Sequence, residues 1–311
     1  MSQAHSRTTA AASLAGWSQI SIVGLGLIGG SLARALRRQL PRLRLVGIER
    51  SLALPAALPP GLVDELLPES DAAGIERALA ASQLICVATP VSAIGGWLRR
   101  ALQHPGLVTD CGSSKRAIAA EVRGLPAAAR FVPGHPMAGA GADRSAASEE
   151  LFEGRPWVLC PEGAEPAALE AVEQFVTLVG ARPVRMTADA HDRAVALTSH
   201  APRLVASVLM GLAEQHGALA AAGPAFERVT RGAGGSVDVW RDVLSSNADE
   251  VARALRLLTL ELEACAVELE QGRVERSLGT LAAADRAREA FDAGRAGPTV
   301  DGAVPKLAQK V

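Results

Sequence analysis

A glycine-rich junction between a strand and a helix constrains this chain more than any other feature. The run Ile20–Val23 is short, mostly apolar and β-branched, which indicates a buried strand. An alanine-, leucine- and arginine-rich helix follows after the six residues Gly24-Leu25-Gly26-Leu27-Ile28-Gly29. In such a turn the first glycine permits the tight bend, the second lets backbone approach a pyrophosphate, and the third lets helix and strand pack closely. The sequence therefore predicts that this loop binds a dinucleotide at the positive end of the helix.

An acidic residue at the end of the next predicted strand supports the same interpretation. Glu49 follows the apolar run Leu43–Ile48 and lies about 20 residues beyond the last glycine, as the dinucleotide fingerprint requires. A carboxylate there accepts hydrogen bonds from ribose hydroxyls and repels a 2′-phosphate, which favours NAD. Arg50 and Ser51 come next and could bind that phosphate, so NADP stays open. The alternative for the whole region is a glycine-rich turn in a similar fold that binds no cofactor.

Strand and helix signals alternate through the first half of the chain. The predicted strands are Ile20–Val23, Leu43–Ile48, Leu84–Ala88 and Leu107–Thr109. Short apolar runs of this kind are typical of parallel strands buried on both faces, so we expect an α/β fold with a Rossmann-type, doubly wound, mostly parallel sheet. Thr89 and Pro90 end the third run, at the edge where ligands bind in such sheets, and are expected to contact the cofactor.

Strand signals stop near Thr187, and long helical segments continue from there, which predicts a second, all-α domain for substrate binding and dimerisation. Residues 1–18 lack a long apolar segment, so a secretory signal is not predicted; a disordered tail is preferred over an organelle transit peptide. The expected organisation is a disordered tail at 1–18, a dinucleotide-binding Rossmann domain at 19–187, a helical domain at 188–294 and a flexible tail at 295–311.

One long predicted helix, from Ser246 to Gln271, carries an apolar seam with steps of four and three residues. The seam consists of Val251, Leu255, Leu258, Leu262, Cys265 and Leu269. This spacing is typical of helices that pack on another helix as in coiled coils. We expect a homodimer through the C-terminal helices, with burial inside the same subunit as the alternative.

Composition excludes several other functions. The net charge of −1 with mixed signs gives no reason to expect a nucleic-acid partner, and no uninterrupted apolar run is long enough to span a bilayer. The four cysteines are scattered without a C-x-x-C pair, which fits a reducing cytoplasm. No histidine, cysteine or carboxylate set has metal-ligand spacing, so no metal site is predicted.

Two further predicted strand ends supply candidate catalytic side chains. Ser113 lies in a small-residue turn after the Leu107 strand, and His135 lies between Gly134 and Pro136 after the next apolar run. Both are expected at the same sheet edge as the glycine loop. A neutral imidazole can accept a hydroxyl proton while hydride leaves the same carbon, so His135 is the preferred proton acceptor. His191 is a weaker candidate that could simply cap a helix or lie in solvent.

The helical half offers candidate substrate contacts. Pro202 lies inside the predicted helix Asp189–His216 and predicts a kink beside Thr198, Ser199 and His200. The kink suggests either a ligand-binding wall or a purely structural break. Arg231, in a glycine-rich loop, could bind a substrate carboxylate through two hydrogen bonds, although a loop arginine alone is more often solvated.

The motifs taken together resemble the prephenate/arogenate (cyclohexadienyl) dehydrogenases of tyrosine biosynthesis. The resemblance runs from about Ile20 to Leu281. It is carried by VGLGLIGGSLA, ATPVSAI, D-x-G-S-x-K at Asp110–Lys115, GHPMAG at Gly134–Gly139, LFEG at Leu151–Gly154, D-x-H-D at Asp189–Asp192, SHxP at Ser199–Pro202 and TR…WRDV…N at Thr230–Asn247.

The resemblance implies an NAD-dependent oxidative decarboxylation of prephenate to 4-hydroxyphenylpyruvate, or of arogenate to tyrosine. It implies that His135 accepts the hydroxyl proton, with Ser113 placing the imidazole, the nicotinamide and the hydroxyl. By the same match, Arg231 binds a substrate carboxylate and His200 lines the substrate pocket.

Two departures from the family pattern concern the substrate's side chain. Arg203 stands where the family often has a second histidine after SHxP, and Ala140 and Gly141 occupy a stretch where many prephenate-preferring members have an acid. Arg203 could favour a keto side chain with its carboxylate. Remote alternatives are a non-catalytic nucleotide-binding protein and a β-hydroxyacid-type dehydrogenase. The latter requires a lysine that Asp189–His216 lacks.

Overall fold

The first half of the chain forms a six-stranded parallel sheet. The computed structural model describes residues 3–50, 59–139, 147–234 and 236–296. The strands are β1 (Gln19–Val23), β2 (Arg44–Glu49), β3 (Glu65–Pro68), β4 (Leu84–Val87), β5 (Leu107–Asp110) and β6 (Phe131–Val132). Their order is β3-β2-β1-β4-β5-β6, and every neighbouring pair is parallel. This is a doubly wound arrangement with its ligand edge at the carboxyl ends of β1 and β4, where the strand order reverses.

Helices cover both faces of this sheet. They are α1 (Gln3–Ser13), α2 (Leu27–Gln39), α3 (Ala72–Ala81), α4 (Val91–Ala101), α5 (Arg116–Val122) and α6 (Pro166–Leu178). Successive residues of a strand point to opposite faces, so β1 contributes Ile22 to one apolar cluster with α2 and α6, and Val23 to another with α3, α4 and α5. The predicted fold class is therefore confirmed. Strand β3 was not predicted from the sequence because it is only four residues long and follows a proline-rich stretch.

A second, smaller sheet holds the candidate proton acceptor. It consists of β7 (Gly134–Pro136), β8 (Pro156–Leu159) and β9 (Arg182–Arg185), with β7 antiparallel and β9 parallel to β8. His135 pairs with Val158 in this sheet. The ladder fixes the backbone on which the imidazole is mounted.

The amino-terminal segment differs from the expected disordered tail. Residues 3–13 form α1, and Ala10 and Leu14 are buried in the cluster that includes α6. Arg7 forms an ion pair with Glu153. Alanine has the highest helix propensity, and the small alanine side chains of α1 allow it to pack against α6. Of the predicted flexible tail 295–311, residues 297–311 lie outside the described residues, as do Ala140, Gly141 and Ser51.

The predicted kink near Pro202 takes the form of a π-helical turn. Helix α7 (Ala188–Val195) continues through this turn (Ala196–His200) into α8 (Ala201–Gln215). Pro202 follows this turn directly, at the second residue of α8, and lacks the N–H that a regular α-helix would bond to the preceding turn. Among the described residues, 188–215 is the one helical run long and apolar enough to cross a bilayer by length and composition, with a mean hydropathy of 1.3 over an 18-residue window.

The remaining helices are α9 (Pro224–Thr230), α10 (Val237–Ser246), α11 (Ala248–Glu270) and α12 (Glu275–Ala296). Contacts divide the chain into a unit of residues 2–248 and a unit that begins at Asp249. Within the second unit, Arg276 donates to Glu261 across the pair α11 and α12 at 2.9 Å. The predicted seam on α11 is open at its carboxyl end, where Leu262 and Leu269 are 64 % and 52 % exposed.

Candidate functional site

The glycine loop after β1 has no room for side chains at two of its three glycines. Gly24 has a φ of +89°, which L side chains rarely adopt, and a Cβ there would lie 2.8 Å from the carbonyl oxygen of Ala88. A Cβ on Gly29 would overlap the carbonyl oxygen of Gly24. Glycine is therefore required at both positions by the protein itself.

Gly26 is different, because the space around it is empty. A Cβ there would meet nothing within 4 Å, and no side chain caps the amino terminus of α2 that it precedes. The open positive end of α2, which begins with Leu27 and Ile28, is suited to an anionic ligand. The open space at Gly26 and the uncapped amino terminus of α2 therefore fit a pyrophosphate.

Glu49 lies at the end of β2 and is held against the glycine loop. Its Oε2 accepts the N–H of Leu25 at 2.9 Å, and its Oε1 accepts the N–H of Arg50 at 2.9 Å. Each carboxylate oxygen keeps a lone pair for a ribose hydroxyl. The side chain of Arg50 is exposed beside it.

Thr89 and Pro90 follow β4 at the same edge of the sheet. The Thr89 hydroxyl is buried and has no hydrogen-bond partner among the described residues. Pro90 precedes the first turn of α4, which no side chain caps. A buried hydroxyl without a partner is costly unless a ligand completes it. These features also fit a bound dinucleotide.

A buried ion pair joins the end of β5 to the start of β7. Lys115 and Asp110 are both 0 % exposed and form a salt bridge. Lys115 Nζ also donates to the carbonyl oxygen of Gly134 at 2.5 Å, and Asp110 Oδ1 accepts the N–H of Gly134 at 3.1 Å. Two hydrogen bonds from this ion pair thereby fix Gly134, the residue that immediately precedes His135.

The imidazole of His135 contacts a second histidine, which in turn contacts a carboxylate. His135 Nδ1 lies 2.8 Å from His191 Nε2, and His191 Nδ1 lies 2.7 Å from Asp192 Oδ1. Asp192 also accepts the backbone N–H groups of Lys115 at 2.7 Å and Arg116 at 3.0 Å. The cluster therefore links β7, the start of α5 and α7.

Asn247 extends this cluster to the π-helical turn. Its Nδ2 donates to the carbonyl oxygen of Asp192 at 2.8 Å and lies 3.4 Å from His200 Nδ1. The His200 ring packs edge-on against Trp240, with ring centroids 6.1 Å apart. The Arg203 guanidinium lies 5.0 Å from the centre of the same indole. Two of the predicted substrate-binding residues thus contact the same indole.

The histidines of this cluster are neutral near physiological pH. Burial, with the adjacent His191, Lys115 and His200, holds the pKa of His135 well below its usual 6.5. Burial also lowers the pKa of His191, although the hydrogen bond to Asp192 opposes this, and lowers the pKa of His200 to about 4. A neutral His135 is free to accept a proton.

Two predicted site residues, Ser113 and Arg231, lie at or near the protein surface. Ser113 is partly exposed in the turn before α5, and Arg231 is exposed directly after α9. Neither side chain has a hydrogen bond among the described residues. Arg203 lies next to the Arg231 loop, since a Cβ on Gly232 would be 4.0 Å from its Cδ. In the described residues, no group of three or more histidine, cysteine or acidic side chains could hold a metal ion.

Sequence reasoning missed the residues that support His135. His191 was only a weaker candidate for the proton acceptor, with helix capping or solvent exposure as the alternative. Thr187 instead caps α7 by accepting the N–H of Ala190 at 3.1 Å, and His191 is completely buried. Asp192 and Asn247 were not singled out as site residues. The available signal was their place in the family motifs, D-x-H-D at Asp189–Asp192 and the final asparagine of Thr230–Asn247.

The glycine loop, the doubly wound sheet and the open amino terminus of α2 together define a Rossmann-type nucleotide-binding fold. The family model for the nucleotide-binding domain of prephenate dehydrogenase matches residues 32–185. The model for the prephenate dehydrogenase dimerization domain matches residues 187–283. The chain belongs to the prephenate dehydrogenase family.

Named relatives agree with this assignment. The chain is 34 % identical over 249 residues to the prephenate dehydrogenase of Bacillus subtilis (strain 168), covering 75 % of this chain and 65 % of that protein. It is 29 % identical over 246 residues to the cyclohexadienyl dehydrogenase of Zymomonas mobilis, covering 75 % of this chain and 82 % of that protein. The chain thus spans less than two thirds of the length of the Bacillus protein.

A solved structure shares the fold. The prephenate dehydrogenase from A. aeolicus, in complex with hydroxyphenyl propionate and NAD+, superposes with a TM-score of 0.76 at 23 % identity. The match covers 88 % of this chain and 98 % of that chain.

Proposed function

We propose that this chain is a prephenate dehydrogenase, which oxidises and decarboxylates prephenate to 4-hydroxyphenylpyruvate with NAD. The observation that carries the proposal is the neutral His135, which adjoins the carboxyl end of β5 at the sheet edge of the glycine loop. Family membership and the named Bacillus relative support it. The bound NAD+ of the A. aeolicus enzyme and the position of Glu49 support the choice of cofactor.

In the proposed reaction, His135 accepts the proton of the substrate's ring hydroxyl. NAD supplies an acceptor for the hydride that leaves the same carbon. Carbon dioxide leaves from the opposite ring carbon, and the ring becomes aromatic. Because aromatisation makes the reaction strongly downhill, the protein's main task is alignment of the reacting groups.

Other side chains bind and orient in this scheme. Ser113 donates a hydrogen bond that places the substrate hydroxyl, Arg231 binds a substrate carboxylate, and His200 and Arg203 line the pocket around Trp240. The residues proposed to hold the cofactor are Gly24, Gly26, Leu27, Ile28, Gly29, Glu49, Arg50, Thr89 and Pro90.

Arogenate is the second candidate substrate, because the Zymomonas relative is named a cyclohexadienyl dehydrogenase. Arg203 favours prephenate for an electrostatic reason. The keto side chain of prephenate ends in a carboxylate alone, whereas the side chain of arogenate also carries an ammonium group. A guanidinium held against Trp240 attracts the carboxylate of either side chain, but it also repels the ammonium group of arogenate.

We further propose that residues 19–187 form the dinucleotide-binding domain and residues 188–294 the helical domain, in a homodimer that places its C-terminal helices at the interface. Exposed leucines support this: Leu262 is 64 % exposed on α11 and Leu281 is 63 % exposed on α12. A cytoplasmic location, without membrane or nucleic-acid partners, is supported by a net charge of −1 and by free cysteines throughout the described residues.

Initial rates with prephenate and arogenate, each with NAD and with NADP, test the proposal through the absorbance of the reduced cofactor. We expect turnover of prephenate with NAD and a smaller kcat/KM for arogenate. Arg203→Ala should reduce this preference roughly tenfold, while Arg77→Ala, which removes an exposed arginine from α3, leaves it unchanged. Absence of turnover with all four combinations would overturn the proposed function.

A further inference from the structure

The imidazole of His135 is hydrogen-bonded to a buried pair of side chains, His191 and Asp192. Both are 0 % exposed, and the two contacts that link them to His135 measure 2.8 and 2.7 Å. His135 Nε2, by contrast, has no hydrogen-bond partner among the described residues. One nitrogen of the imidazole is therefore held inside the protein and the other is available.

The charge state of Asp192 is fixed by the groups that donate hydrogen bonds to it. Burial raises the pKa of Asp192, but the hydrogen bond from His191 and the backbone N–H groups of Arg116 and Lys115 outweigh it, so the net pKa is lowered. Asp192 is therefore an ionised carboxylate that only accepts hydrogen bonds. His191 Nδ1 must then carry a proton.

The protonation of the other imidazole nitrogens follows from the proton on His191 Nδ1. His191 is neutral because burial lowers its pKa, so with a proton on Nδ1 its Nε2 is a bare acceptor. The contact at 2.8 Å then requires a proton on His135 Nδ1. In a neutral imidazole with Nδ1 protonated, Nε2 carries a free lone pair.

We propose that His191 and Asp192 are positioning residues that hold His135 as the tautomer protonated on Nδ1, which makes Nε2 the atom that accepts the substrate's proton. The inference rests on the proposed function, in which His135 is that acceptor. As hydride leaves for the oxidised cofactor, the O–H bond of the substrate breaks and an N–H bond forms at Nε2. The resulting imidazolium keeps its Nδ1–H bond to His191, and the Asp192 carboxylate stabilises the new charge.

The carboxylate is itself rigidly placed. Asp192 binds the N–H groups of Lys115 and Arg116 at the start of α5, and its carbonyl oxygen accepts from Asn247. Other charged or titratable groups that influence His135 are Lys115, which is paired with Asp110, and His200, which is neutral. His191 and Asp192 thus form the one hydrogen-bonded route from His135 to an anion in the described residues.

Nuclear magnetic resonance of ¹⁵N-histidine-labelled protein tests the tautomer without any need for turnover. Long-range ¹H–¹⁵N spectra of the complex with NAD at neutral pH should show His135 with Nδ1 protonated and Nε2 bare. The signals are assigned by their loss in His135→Asn. In His191→Phe, which removes the acceptor, the His135 signals should shift toward a mixture of tautomers. A wild-type His135 protonated on Nε2 would overturn the proposal.

Kinetics of matched variants give a second test. We expect His191→Phe to lower kcat roughly 10–100-fold with little change in the Kd for NAD, and His191→Gln, which keeps an oxygen acceptor for Nδ1–H, to recover part of the loss. His216→Gln, at the exposed end of α8, should have wild-type kinetics. If His191→Phe folds and retains wild-type kcat, His191 has no positioning role.

The two tests separate this inference from the proposed function. If wild-type protein turns over neither prephenate nor arogenate, the reaction is wrong, yet the spectra still report the His135 tautomer. If His191→Phe fails to fold, as judged by circular dichroism, the spectra of the wild-type protein alone decide.

Discussion

The glycine loop and the histidine cluster lie at the same edge of the sheet but are built in different ways. The loop is one continuous segment, Gly24–Gly29, whose fit depends on absent side chains and open backbone. The cluster joins His135, His191 and Asp192 from two separate segments through hydrogen bonds of 2.7–2.8 Å. Local sequence encodes the first, whereas only the tertiary fold assembles the second.

This difference predicts which property each region controls. Changes in the loop should alter cofactor affinity with little effect on the chemical step, because the loop only holds the cofactor. Changes in the cluster should alter the proton transfer and leave cofactor affinity unchanged. Substitutions that affect both properties equally would contradict the separation.

The largest expected effect is that of His135→Asn. Removal of the proton acceptor should lower kcat for prephenate about a thousandfold, since general-base catalysis contributes on this scale. The Kd for NAD, measured by fluorescence titration, should stay within about twofold of wild type. His216→Asn, on the exposed end of α8, serves as the control and should leave both values unchanged. Equal loss of kcat and of NAD affinity would show that the two regions are not separable.

Gly26→Ala and Gly29→Ala test whether the glycine loop controls cofactor affinity, protein stability or both. At Gly26 a methyl group meets nothing within 4 Å, so we expect an unchanged Tm and a Kd for NAD raised roughly a hundredfold by collision with the pyrophosphate. At Gly29 the methyl group overlaps the Gly24 carbonyl oxygen, so Tm should fall as well. An unchanged affinity in Gly26→Ala would remove the loop from the cofactor site.

The loop and the sheet could be predicted from sequence because their causes are local. The glycine spacing specifies its own turn, and runs such as Leu84–Val87 are recognisable as buried strands wherever they occur. His191 gave no such signal, since a histidine beside an acid at a helix start is equally suited to solvent. The proline at 202 predicted a break in the helix, but the π-helical turn depends on how neighbouring helices pack.

The third expected effect concerns stability against acid, and it arises in the cluster. An unfolded histidine has a pKa of about 6.5, whereas burial lowers that of His200 to about 4, so between these values the unfolded chain binds more protons. Stability therefore rises with pH across this window and is lost as pH falls through it. From pH 7 to pH 5 we expect His200 to account for about 2 kcal/mol of lost unfolding free energy.

Urea unfolding at both pH values measures this loss. His200→Asn keeps an acceptor near Asn247 Nδ2 but cannot be protonated in this range, so its stability should depend less on pH than that of wild type. The loop variant Gly26→Ala should retain the full wild-type dependence. An identical pH dependence in wild type and His200→Asn would show that burial of this histidine has no thermodynamic consequence.

The smallest expected effect is that of Arg231→Lys, in neither of the two regions. A lysine keeps the positive charge but loses the paired, planar donors with which a guanidinium binds a carboxylate, so KM for prephenate should rise about tenfold with kcat little changed. The Kd for NAD should remain at the wild-type value. Arg77→Lys, which alters an exposed arginine on α3, is the matched control and should leave KM unchanged. A fall in kcat without a rise in KM would instead place Arg231 among the groups that act on the chemical step with His135.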